Sequence, residues 1–103
     1  MTKDTRPIEV GDRFETRDKR DAGRVVEVIE ALEDKDAATR PERAARNARS
    51  WGSTPAEVEE WMRKSETYFR IQTEAHPRNP DALGNVSRIS ELTLRAKYSR
   101  VSR

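Results

Sequence analysis

Twenty residues near the start of the chain, VGDRFETRDKRDAGRVVEVI from Val10 to Ile29, constrain the fold more than any other stretch. Gly11-Asp12 is turn chemistry and leads into Arg13 to Thr16, with Phe14 as the core side chain. Arg17 to Gly23 is charged and ends in a glycine able to take positive φ, as a tight connection requires. Arg24 to Leu32 then carries Val25, Val26, Val28 and Ile29, and β-branched side chains at this density favour strand over helix. Apolar residues on both faces of that run suit a long bent strand serving two sides of a barrel. The stretch reads as the first hairpin of a small β-barrel.

A second β-rich block follows the middle third. In Thr67 to Thr73, Phe69, Ile71 and Thr73 share one face and Tyr68, Arg70 and Gln72 the other. His76 to Gly84 has two prolines and a glycine and reads as a loop, with His76 a solvated residue in it. Asn85 to Ser90 is a fourth strand with Ile89 inward. Glu91 to Ala96, with Leu92 and Leu94, reads as one tight 3₁₀ turn. Lys97 to Val101 is a last short strand with Tyr98 or Val101 inward.

Between the blocks the pattern turns helical. Thr39-Arg40-Pro41-Glu42 has capping-box spacing and predicts a short helix over roughly Arg40 to Arg49, ended by Trp51-Gly52. Thr54-Pro55-Ala56-Glu57 starts a second helix, Pro55 to about Ser65. Val58, Trp61 and Met62 fall at i, i+3 and i+4 on one apolar face, which is expected to cover the barrel. The expected architecture is mainly β, one domain over 1–103. It is a small antiparallel barrel of about five strands (8–32 and 67–101), with a helical insertion (33–66) between strands 2 and 3.

The Gly11-Asp12 and Gly23-Arg24-Val25 pattern resembles the opening of KOW- and Tudor-type SH3-like barrels. The wider pattern runs G-D-x-F, R-x-x-G-R-x-V-x-V, Y-F-R-I, S-R-I-S-x-x-x-L and Y-x-x-V. It is similar to short proteins encoded by actinobacteria and their phages. The resemblance covers about Ile8 to Leu32 and Thr67 to Val101, and the insertion departs from a minimal barrel. It implies a fold and a small accessory protein, not a reaction.

The chain has 103 residues, 33% hydrophobic and 39% charged, with no cysteine, which excludes disulfides and thiolate metal sites. No apolar run approaches the roughly 18 residues of a membrane span, and no apolar stretch follows MTKDTR, so the expected location is the cytoplasm. Nothing frames a catalytic site: no G-x-S-x-G, H-E-x-x-H or glycine-rich phosphate loop is present. The carboxylate pairs Glu59-Glu60 and Asp34/Asp36 sit in charge-mixed, solvated segments where nothing tunes them for acid–base work. The expectation is a non-enzymatic binding protein without metal or cofactor.

Two kinds of partner fit. Net charge is only +2, but from Asn85 to Arg103 five basic residues face Glu91 alone. Tyr68, Arg70, Arg88, Arg95, Lys97 and Arg100 on one barrel face make a basic surface with an aromatic in it, suited to nucleic acid. Arg40, Arg43, Arg46 and Arg49 recur every third residue and form a second basic row. The alternative is a protein-interaction module or homo-oligomer. It acts through Trp51, Val58, Trp61 and Met62, for instance on a host protein, because tryptophan is enriched at interface hot spots.

Overall fold

The two β-rich blocks fold into a single antiparallel sheet. The computed structural model describes residues 5–101; Arg103 of the C-terminal basic set lies outside the described residues. The strands are β1 (Arg13–Thr16), β2 (Val25–Ala31), β3 (Tyr68–Ala75), β4 (Val86–Ser90) and β5 (Tyr98–Arg100), in the order β4-β3-β2-β1-β5. The expected adjacency of the two blocks is therefore present, with Val28 opposite Ile71 and Ala31 opposite Phe69. β1 is joined to β2 through a 3₁₀ turn, Lys19–Asp21, capped by Asp18, whose carboxylate accepts from Arg20 N at 2.9 Å. Gly23 follows at φ +89°, and a Cβ there would lie 2.8 Å from Pro77 Cγ in the β3–β4 connection. Only glycine lets these two loops close on each other.

Period-2 alternation sends Phe14, Val26, Val28, Phe69 and Ile71 to one face, where Leu94 and Tyr98 complete the core. Register shifts between Val25 and Val26 and between Val28 and Glu30 let β2 bend between its two neighbours.

Three expectations change. First, the sheet is open: β4 and β5 are its two edges, and among the described residues no ladder joins them. Second, Glu91 to Lys97 is an α-helix (α3) rather than a 3₁₀ turn. The Ser90 hydroxyl accepts from Thr93 N at 3.1 Å, and Glu91 N donates to Thr67 O at 2.8 Å, so the first turn is satisfied and continues. α3 lays fully buried Leu94 across the gap between the edges and leaves β5 three residues. Third, helices of 12, 12 and 7 residues outweigh strands of 4, 7, 8, 5 and 3, so the architecture is mixed rather than mainly β.

The two longer helices, α1 (Arg40–Trp51) and α2 (Pro55–Glu66), connect β2 to β3. Thr54 caps α2 as its sequence predicts, accepting from Glu57 N at 3.2 Å. Thr39 does not cap α1: its backbone is already helical, and its hydroxyl accepts from Arg43 Nε at 3.1 Å instead. Gly52 at φ +68° ends α1. Ala44 and Ala48 let α2 approach closely, and with Val58 and Met62 they form a second core, separate from that of the sheet. α2 rests against α3 and the edge strand β4. The expected cover of the sheet by all three apolar side chains of α2 is thus replaced by packing inside the hairpin.

Candidate interaction surfaces

Three of the six residues expected on one basic face come together. On the outer side of the β3–β4 edge, Arg70 sits directly opposite Arg88, and the Arg88 guanidinium lies 4.4 Å from the centre of the Tyr68 ring. Arg88 has no carboxylate partner among the described residues. Arg70 does: its Nε donates to Glu30 on β2 at 2.7 Å. Arg13 pairs with Glu74 at 2.9 Å. The outer face of the sheet is therefore charge-mixed, and acidic neighbours offset much of its basic character.

The other three lie elsewhere. Arg95 donates through Nε to Glu91 at 3.0 Å and through a terminal nitrogen to Arg6 O at 2.7 Å. Arg100 pairs with Asp12, donates to Arg6 O and Pro7 O, and stacks 5.1 Å over Phe14. Arg95 ties the N-terminal segment to α3, and Arg100 ties it to β5. Lys97, exposed at the end of α3, faces the β1–β2 turn.

The second basic row is likewise split. Arg40 is only 6% exposed, and its guanidinium grips Asp34 at 2.6 Å and Glu66 at 3.0 Å. Arg43 forks onto the same Glu66. Arg46 and Arg49 remain exposed. Asp34, read as a solvated carboxylate, is thus half of an ion pair. Glu91, at the start of α3, is buried. Burial pushes its carboxyl up, but hydrogen bonds from Arg63 and Arg95 outweigh that and hold it below its ordinary value. Arginine–carboxylate links join α1 to α2 and α2 to α3, and Arg95, paired with Glu91 within α3, reaches the N-terminal segment through the Arg6 carbonyl.

The tryptophans behave differently. Val58 and Met62 are buried, whereas Trp51 is 50% exposed and Trp61 48%. The two rings meet edge to face, with centroids 5.5 Å apart and planes at 87°. They sit at the rim of a core that the alanines, Val58 and Met62 already fill.

His76 corrects the expectation of a solvated loop residue. It is 8% exposed, with Nε2 3.8 Å from Asp21 Oδ1 and Nδ1 without a hydrogen-bond partner. The contact of Pro77 with Gly23 closes the two loops over it. No group of three or more metal-ligating side chains occurs among the described residues. No described helix is long and apolar enough to cross a membrane.

These features define a small α/β protein: a five-stranded open antiparallel sheet carrying a helical hairpin with an exposed aromatic pair. No protein-family model matches the chain, and no curated protein and no solved structure matches it.

Proposed function

We propose that this is a binding protein without a reaction of its own, and that it docks another protein through Trp51 and Trp61. The observation that carries the reading is the exposed edge-to-face pair, held on a hairpin whose core is complete without it. Paired aromatic side chains that lose little conformational freedom on contact are typical interface anchors. Val58 and Met62 belong to the support of this surface, not to the surface. The strand order β4-β3-β2-β1-β5, the bent β2 and the helix before β5 support an SH3-like reading of the sheet. The resemblance to actinobacterial and phage proteins favours a bacterial host protein as the partner.

The test compares capture from nuclease-treated actinobacterial lysate by wild type and by the Trp51→Ala/Trp61→Ala double variant, with circular dichroism confirming that both are folded. The reading expects a partner retained by wild type and lost by the variant. Identical capture by the two proteins refutes it.

The Arg88–Tyr68 stack supports a second reading, nucleic-acid binding at the β3–β4 edge. Under it Arg70 and Arg88 contact phosphate, and Arg88→Ala lowers the salt slope of DNA affinity by about one. Mobility shifts at two salt concentrations decide this, and an unchanged slope removes the reading.

A further inference from the structure

A groove of about 600 Å³ runs between the β1–β2 turn and α3, away from both tryptophans. Its lining has two chemical characters. Ile89, Ala96 and Tyr98 supply an apolar floor, and Arg17, Arg20, Arg24 and Lys97 stand against Asp18 and Asp21. Arg20 is spent, because its guanidinium forks onto Asp18 at 3.2 and 3.0 Å. Lys97 also lies near Asp18, so across the groove four cations face two carboxylates, and Asp21 also turns toward His76.

Arg24 is the decisive residue. Its backbone is held on both sides: its N–H donates to Asp21 O at 2.9 Å and its carbonyl accepts from Thr16 N at 3.0 Å. The side chain thus leaves a rigid position at the end of the hairpin. Its Nε is buried and has no hydrogen-bond acceptor, and no carboxylate among the described residues pairs with the guanidinium. A part-buried cation without a counter-charge is unfavourable unless something supplies the anion. Arg17 is also only partly engaged, through Nε to Ser99 Oγ at 2.9 Å, and Lys97 acts on Asp18 at longer range without a direct ion pair among the described residues.

We propose that this groove binds a small organic oxyanion, a phosphate monoester or a carboxylate, whose charged end lies against Arg24, Arg17 and Lys97 and whose apolar body lies on Ile89, Ala96 and Tyr98. A guanidinium matches the paired oxygens of either group in a planar fork, and the ammonium of Lys97 adds a point charge. The site uses none of the residues assigned to protein docking and stands or falls independently of that reading.

The full chain is titrated by ¹H–¹⁵N NMR with phenyl phosphate, benzoate, inorganic phosphate and neutral benzyl alcohol. The expected result is saturable shifts confined to amides 16–24 and 89–98 with an aromatic oxyanion, and none with benzyl alcohol. Tighter binding of phenyl phosphate identifies the phosphate source, and tighter binding of benzoate the carboxylate source. Arg24→Gln weakens binding about tenfold or more, and Arg46→Ala on α1 leaves it unchanged. No saturable shift with any anion, equal affinity in Arg24→Gln, or equal weakening by Arg46→Ala overturns the site. Inorganic phosphate binding as tightly as phenyl phosphate overturns the role of the apolar floor. If Arg24→Gln loses the wild-type amide fingerprint, exposed Lys97→Ala replaces it, and an affinity unchanged in that variant overturns the proposal.

Discussion

Replacing Glu66 with glutamine tests what holds the helical hairpin in place. Glu66 ends α2, accepts from both terminal nitrogens of Arg43, and accepts from Arg40 Nε at 3.0 Å. Hydrogen bonds from Arg43 first and Arg40 second outweigh desolvation and hold the Glu66 carboxyl at about 2, against an ordinary 4.5. The folded value is the lower one, so the contribution is complete above 4.5 and fades as pH falls through about 2. At about 1.4 kcal/mol per tenfold, the difference corresponds to roughly 3 kcal/mol. The side chain keeps 19% of its exposure, so solvent screening trims this. About 2–3 kcal/mol is expected for Glu66→Gln at pH 7, a large share of the roughly 5–15 kcal/mol of a small domain. Because the hairpin core is only Ala44, Ala48, Val58 and Met62, the loss should appear first as local opening of α1 and α2. Urea unfolding of wild type and variant at pH 7 and near pH 2, with amide exchange at pH 7, measures both effects. The stability gap should narrow toward pH 2, and α1–α2 amides should exchange faster than those of β2 and β3. A gap under about 0.5 kcal/mol at pH 7, or the same gap at both pH values, refutes the argument.

Three further outcomes are expected. Gly23→Ala meets both the positive φ and the 2.8 Å approach to Pro77, so urea unfolding should show a loss of about 2–4 kcal/mol; a loss under about 0.5 would mean the loops are not in contact. Leu94→Ala, at a fully buried position, should cost about 2–5 kcal/mol in the same assay, because α3 then no longer fills the gap between the sheet edges; a surface-like change would place α3 off the core. Arg100→Ala should release the N-terminal segment, seen as faster proteolysis at 5–9, while leaving DNA affinity as it was; a lower affinity would return Arg100 to the basic surface.

Much of the sheet is readable along the chain. The alternation in Arg13–Thr16, Val25–Ala31 and Tyr68–Ala75 names its core residues, because a strand has only two faces and one must leave water. The start of α2 is equally local, since Thr54 and Pro55 act within one turn. The roles of the arginines are not readable in this way. Arg40 and Arg43 look like a solvated row until α2 returns alongside α1 and brings Glu66 to them. Arg95 and Arg100 look like one basic surface with Arg88 until the N-terminal carbonyls are seen to take their donors. His76 has the loop composition of an exposed residue, and it is buried where the β3–β4 connection packs against the β1–β2 turn.

The order of residues alone determined which segments extend, which coil, and which side chains share a face, because those choices depend on neighbours a few positions away. Tertiary structure decided whether the sheet closed and which charges were already answered within the chain. It also decided that Trp51 and Trp61 stay at the surface. Helical periodicity puts Trp61 beside Val58 and Met62 but says nothing of what lies opposite. The partner proved to be the small Ala44 and Ala48, close enough to bury two of the three and leave the largest outside.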